Sequence, residues 1–173
     1  MSGTSMDGVD AVLVCFDNDK TEIIGHLWQA MPNEIKSPLL ALNEPNQTNE
    51  IHQGAILAQK LSFWFANTCK ALCQQTNKKP NEIKAIGCHG QTIRHQPLQG
   101  YSLQLINGAL LAEQTEITVI TDFRSRDIAA GGQGAPLVPA FHQAVLSHPS
   151  KTRFIINLGG FANITLLEPD TTA

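Results

Sequence analysis

Apolar and polar positions fall into distinct blocks along the chain. Residues 9–16 (VDAVLVCF) are apolar and β-branched and predict a strand. Residues 17–19 (DND) supply a turn, and residues 21–31, with Ile23, Ile24, Leu27 and Trp28, predict a second strand returning beside the first. Pro32 and Pro38 bracket a short helix over residues 36–42, and residues 43–49 (NEPNQTN) read as a loop. The strongest periodicity follows. Leu57, Leu61, Trp64, Thr68, Cys69 and Leu72 recur at three- and four-residue steps, which predicts one helix over residues 50–75, with Thr48 or Asn49 to cap it. The Phe63-Trp64-Phe65 cluster reads as core.

Beyond that helix the blocks shorten. Residues 84–88 (KAIGC) predict a buried strand running into His89-Gly90-Gln91-Thr92, read as a loop. Strands are expected at residues 101–106 and 117–121, and helices at 108–114 and 124–130. After the loop 131–134 (GGQG) comes a helix over 135–148, with Pro136 in its first turn. Two more strands, 153–158 and 162–167, flank Gly159-Gly160. This order predicts an α/β protein with mixed pairing, antiparallel first and parallel after. Residues 2–14 and 157–167 echo one another, each a glycine-rich polar loop beside an apolar strand, which suggests duplicated domains.

Composition narrows the function classes. The chain has 173 residues, 42% hydrophobic and 16% charged, enough for a sizeable core and unlike a disordered tail. Length suggests one domain, or one domain plus a piece of another. A net charge of −3 leaves no polycationic face, so neither nucleic acid nor a membrane surface is an expected partner. No apolar run approaches the ~18–20 residues of a membrane span. The first residues are polar and glycine-rich, unlike a signal peptide. Cys15, Cys69, Cys73 and Cys88 lie in apolar runs and read as buried reduced thiols, which favours the cytoplasm.

Four segments carry candidate chemistry. Residues 3–8 (GTSMDG) combine two glycines, two hydroxyls and a carboxylate. Such a turn can wrap an anion with its N–H groups, and Asp7 could hold a hydrated Mg²⁺ beside a phosphate; an ordinary hairpin turn is the competing reading. His89, Gln91 and Thr92 leave the C-terminal end of a strand, where α/β sheets bind ligands, and offer donors and acceptors suited to a polyhydroxylated molecule. Asp122 and Arg124 leave a strand end at the same rim, whereas Arg126 and Asp127 read as solvated ion pairs. The glycines of GGQGAP precede a helix, where free N–H groups favour an anion or sugar oxygens; a left-handed structural cap competes. Asn157, Gly159, Gly160 and Asn163 form the second glycine-rich hairpin.

Together the strings MSGTSMDGVD, GCHGQTIRH, TDFRSRDIAAGGQGAPLVPAFH and NLGGFANIT closely resemble the anhydro-N-acetylmuramic acid kinase family. That family belongs to the sugar kinase and actin superfamily, with two ribonuclease-H-like domains and ATP in the cleft between them. The resemblance implies a fold class of α/β type. A ribonuclease-H-like mixed sheet flanked by helices would occupy residues 1–152, and residues 153–173 would give the first hairpin of a second, similar domain. It implies ATP and Mg²⁺ as cofactors and the conversion of 1,6-anhydro-N-acetylmuramic acid plus water to N-acetylmuramic acid 6-phosphate, in peptidoglycan recycling. It places Gly3, Thr4, Ser5, Met6, Asp7, Gly8, Val9 and Asp10 on ATP, with Asp7 on the metal. His89, Gln91, Thr92, Asp122, Gly132 and Gln133 would line the anhydro amino sugar. The family's catalytic aspartate lies in a G-[FY]-D-T-G-P-G-N motif shortly after the second hairpin. No such motif precedes Ala173, so no catalytic residue is expected in these residues, which alone should be inactive. A second copy of the chain is a candidate partner. The alternatives are a non-catalytic ribonuclease-H-like binding module and another sugar kinase of the same superfamily.

Overall fold

The alternating apolar residues after the first glycine-rich loop form a long antiparallel hairpin. In the computed structural model, which describes residues 2–3, 5–17, 20–45, 48–158 and 162–169, β1 (Gly8–Asp17) pairs with β2 (Lys20–Ala30) from Gly8↔Ala30 to Asp17↔Lys20. Next, α1 (Asn33–Asn43) begins directly after Pro32 and carries Pro38 inside it, where a bracketing role was expected. Proline there forfeits one backbone bond, but the helix buries Ile35, Leu39 and Leu42 along one stripe, and that burial decides the matter.

The 26-residue α2 (Glu50–Gln75) has the expected bounds and is the spine of the molecule. Its buried stripe of Leu57, Leu61, Phe65, Thr68 and Leu72 is where α1, β1, β2, β5 and α3 all pack. Leu39, Leu61 and Leu111 have no exposed surface and mark the centre of the core.

The distal elements are β3 (Ile86–Gly87), β4 (Gln91–Gln96), β5 (Tyr101–Leu105), α3 (Gly108–Thr115), β6 (Val119–Ile120), α4 (Phe123–Ala129), α5 (Pro139–Leu146), β7 (Arg153–Leu158) and β8 (Ala162–Leu167). Two differ from expectation. The strand over residues 91–96 takes in Gln91 and Thr92, where a loop over residues 89–92 was expected, because this segment pairs with β5 and its polar side chains bond to those of that strand. The last helix starts at Pro139, so that proline and not Pro136 takes the first turn.

The α/β class is as expected. Among the described residues, however, hydrogen bonds gather the strands into four separate pairs and not into one mixed sheet: β1–β2, β4–β5 and β7–β8 antiparallel, β3–β6 parallel. A cavity of about 270 Å³, lined by Val9 to Leu13 of β1, Leu72 of α2 and Ile86 to His89, lies where β1 and β3 face each other. All four cysteines are free; Cys15 is exposed and the other three are half-buried, so full burial of the thiols is corrected. Among the described residues no helix is long and apolar enough to cross a membrane.

Candidate functional site

Parallel pairing brings two loops to one rim. In the β3–β6 ladder Ile86 faces Val119 and Gly87 faces Ile120, and the Cys88 N–H donates to the Ile120 carbonyl at 3.0 Å. His89 and Asp122 therefore leave the same end, as the order of elements implied. Asp122 precedes α4 in left-handed conformation (φ 63°) with its side chain exposed. Arg124, two residues on, donates from Nη1 to the Gly134 carbonyl at 2.7 Å.

Among the described residues, His89 Nδ1 and Arg124 Nε are the two buried side-chain polar atoms without a hydrogen-bond partner. Burial first, and the Arg124 charge second, push the His89 imidazole down to about 4. It is therefore neutral at pH 7 and can either donate or accept. Buried polar atoms are normally satisfied, so an unsatisfied pair at a strand end fits a site that meets a polar ligand.

The loop at residues 131–134 belongs to α4. Gly131, at φ 91°, donates to the Ile128 carbonyl, Gly132 donates to the Asp127 carbonyl at 2.9 Å, and the Gly134 N–H donates to Asp127 Oδ2 at 2.7 Å. This is the left-handed cap, on the C-terminal end of α4; the helix N-terminus that would have favoured an anion starts only at Pro139. Asp127 is thus a clamp on its own loop, which corrects its reading as a solvated ion-pair residue. Gly132 is half-buried with its N–H engaged, and Gln133 is exposed.

The first glycine-rich loop is closed by a Ser2–Val9 bridge and by the Met6 N–H donating to the Gly3 carbonyl at 3.2 Å. Met6 adopts φ 50° and drops its side chain into the core, where it is 1% exposed, so it anchors the loop. Gly8 and Val9 are also buried. The outward face consists of Gly3, Ser5 and Asp7. Ser5 Oγ donates to Asp7 Oδ1 at 2.8 Å, and this bond, ahead of those from loop N–H groups, holds the Asp7 carboxyl below the usual carboxylate range. Asp10 lies on the exposed side of β1, 2.8 Å from His26 Nε2. Thr4 lies outside the described residues.

Gln91 and Thr92 take different places. Thr92 Oγ1 donates to Gln104 Oε1 at 2.7 Å, and Gln104 Nε2 continues to Ser102 Oγ, in a polar row across β4–β5. Gln91 is fully buried, with Oε1 accepting from Ser2 Oγ and Nε2 donating to the Gly3 carbonyl. Gly90 before it sits at φ 73°, and a Cβ there would stand 2.5 Å from the Leu105 carbonyl oxygen, so the loop needs glycine.

Three segments are thereby connected. The first glycine-rich loop is bonded to Gln91, His89 feels the Arg124 charge, and Arg124 is bonded to Gly134. Sequence reasoning gave Ser2 no role; a serine at a loop root carries no local signal of a partner 89 residues away. In the second hairpin, Asn157 and Asn163 face each other across β7–β8, and His142 Nδ1 of α5 lies 3.0 Å from Thr165 Oγ1. Gly159 and Gly160 lie outside the described residues.

Comparison with known proteins extends this picture. A family model described as anhydro-N-acetylmuramic acid kinase matches residues 1–173. A protein of that name from Nitrosomonas europaea is 54% identical over 169 residues, covering 96% of this chain and 46% of its own length. One from Neisseria meningitidis serogroup C is 50% identical over 174 residues, covering 100% and 47%. Another, from Albidiferax ferrireducens, is 48% identical over 173 residues, covering 98% and 44%. The chain spans about half the length of the curated relatives it matches.

Proposed function

This chain belongs to the anhydro-N-acetylmuramic acid kinase family, and we propose that it forms one part of an ATP-dependent carbohydrate kinase acting on 1,6-anhydro-N-acetylmuramic acid in cytoplasmic peptidoglycan recycling. In this reading residues 1–152 make a ribonuclease-H-like domain and residues 153–173 begin a second one. The exposed apolar stripe Phe154, Ile156, Ile164 and Leu166 on one face of β7–β8 supports that division, because it is a sheet face without cover here.

The observation that carries the proposal is that the first glycine-rich loop is bonded to Gln91, two residues along from His89, and that Val9 and Asp10 line one cavity with His89. The loop is assigned to the ATP phosphates. Asp7 suits a hydrated Mg²⁺: its carboxylate is exposed, held ionised and hydrogen-bonded to Ser5. Among the described residues there is no cluster of three or more ligating side chains, so phosphate oxygens and water would complete the coordination. Mg²⁺ bound there would offset phosphate charge. His89, Thr92, Asp122, Gly132 and Gln133 are assigned to the sugar, with neutral His89 and charged Arg124 offering the rim's unsatisfied donors or acceptors.

The balanced reaction is ATP, water and the anhydro sugar giving N-acetylmuramic acid 6-phosphate and ADP. Water adds at C1 as the C1–O6 bond breaks, and O6 accepts the γ-phosphoryl group. Phosphoryl transfer depends mainly on positioning and charge stabilisation, which glycine-rich loops can provide. Holding the released O6 beside ATP makes the second step intramolecular. Incubation of the full-length protein with Mg²⁺, ATP and the anhydro sugar, followed by ³¹P NMR, tests this. The sugar 6-phosphate and stoichiometric ADP are expected, whereas absence of turnover, or equal phosphorylation of free hexoses, refutes the assignment. Asp7→Asn is expected to raise the Mg²⁺ concentration needed for half-maximal rate with little effect on folding; an unchanged requirement would remove Asp7 from the metal site.

A further inference from the structure

Gln91 has no solvent-exposed surface, although it lies on a segment whose residue types suggest sugar contacts. Its amide points into the protein. Oε1 accepts from Ser2 Oγ at 2.5 Å and Nε2 donates to the Gly3 carbonyl at 3.3 Å, across 89 and 88 residues of sequence. That carbonyl is also the one that closes the loop by accepting the Met6 N–H. The backbone of Gln91 is itself fixed: it pairs with Leu105 in the β4–β5 ladder and follows Gly90, whose close approach to the Leu105 carbonyl admits no side chain. The amide therefore projects from a rigid point, and both bonds it makes end at the root of the first glycine-rich loop.

We infer that Gln91 is a positioning residue for nucleotide binding, fixing the loop at residues 3–8 from the strand end that also carries His89 and Thr92. The inference rests on the kinase reading above. A buried amide that loses its partners, or partners that lose the amide, leaves unsatisfied polar groups, and the loop would relax to rebond them. The cost then appears in the affinity for whatever the loop binds, and the residues assigned to the sugar, which these two bonds do not hold, are spared.

The test uses the full-length protein with Ser2→Ala, Gln91→Leu and Gln91→Glu, and ADP with Mg²⁺ as the calorimetric probe. Gln91→Leu is expected to raise the ADP dissociation constant and the KM for ATP about tenfold, and Ser2→Ala about threefold, with the KM for the sugar within about twofold of the parent. Gln91→Glu keeps the size and the acceptor for Ser2 but sets a carboxylate oxygen against the Gly3 carbonyl, so it should fall with Gln91→Leu. A lowered melting temperature with unchanged ADP affinity would make Gln91 an ordinary core residue and overturn the inference. A raised sugar KM with unchanged ATP KM would make it a sugar contact, and also overturn it. If Gln91→Leu does not fold, Ser2→Ala decides, since unchanged ADP affinity there contradicts the positioning role. No ADP binding by the parent protein would instead refute the kinase reading, and this inference with it.

Discussion

Adding one methyl group at Gly132 should destabilise the protein, and removing a neighbouring carboxylate should reverse the sign of that effect. A Cβ built on Gly132 would lie 2.6 Å from Asp127 Cγ and 2.8 Å from Oδ1, with Oδ2 nearer still. The Gly132 backbone lies outside the left-handed region, so alanine is conformationally acceptable there. The three atoms nearest that Cβ all belong to this carboxylate, which accepts the Gly134 N–H at 2.7 Å. In Gly132→Ala the carboxylate must swing off, losing a charge-assisted bond of about 1.5–3 kcal/mol. Lower entropy of the unfolded chain returns about 0.4–1 kcal/mol. The net expectation is a loss of about 1–2 kcal/mol. In an Asp127→Ala background the bond is already gone and the three nearest atoms are removed, so Gly132→Ala should stabilise by about 0.4–1 kcal/mol. The coupling is therefore about 2 kcal/mol, well beyond the ~0.5 kcal/mol scatter of independent sites. Equilibrium urea unfolding of the four proteins measures the cycle, and amide exchange of a peptide covering residues 131–136 localises it. If Gly132→Ala costs the same in both backgrounds, Asp127 is not what fills the space, and the description of the loop as clamped by that residue is wrong.

Two other outcomes follow from the same rim and loop. His89 is held neutral, with its pKa pushed down to about 4 from an ordinary 6.5; the unfolded chain takes up a proton that the folded chain refuses, so stability is full above pH 6.5 and falls as the pH drops towards 4. The loss should reach about 3 kcal/mol at pH 4 and be absent in His89→Gln, read as the difference in urea midpoint against pH; parallel profiles for the two proteins would show that His89 titrates normally. Gly8→Ala would set its Cβ 2.5 Å from the backbone carbonyl of Gln29 and 2.6 Å from Trp28 Nε1. Since the backbone of the paired strand cannot step aside, a cost of about 1–3 kcal/mol in thermal unfolding is expected, with a shifted indole emission; an unchanged midpoint would deny the close approach of β1 and β2.

What sequence could and could not convey is clearest where neighbouring elements contrast. The bounds of α2 agree at both ends because its signals are local: apolar steps of three and four along Leu57, Leu61 and Leu72, a polar run before Glu50, and Lys-Lys-Pro after it. β4 has no such signal. Gln91, Thr92, Arg94, His95 and Gln96 give no alternation of apolar and polar, because its partners are Gln104 and Ser102 on the next strand and Leu42 and Glu50 across the fold. For α5, two prolines each fitted the first helical turn, and local preference alone does not choose between Pro136 and Pro139.

The same limit governs the site. His89, Gln91, Asp122 and Asp127 all carry donors or acceptors beside glycines, and residue type is blind to whether the partner is a ligand or the chain itself. What separates them is burial together with satisfaction. Gln91 and Asp127 have internal partners that account for their position, at Ser2 and Gly3 and at Gly134, so the chain itself meets those polar groups. His89 Nδ1 and Arg124 Nε are buried and unsatisfied, a state that costs free energy in the absence of a compensating contact. A fold tolerates that cost most readily where a ligand repays it. The two orphaned nitrogens are thus the strongest physical argument that this rim meets a polar molecule, stronger than the glycines that first drew attention to it, since Gly90 and Gly132 pack closely on Leu105 and Asp127 whether or not anything binds.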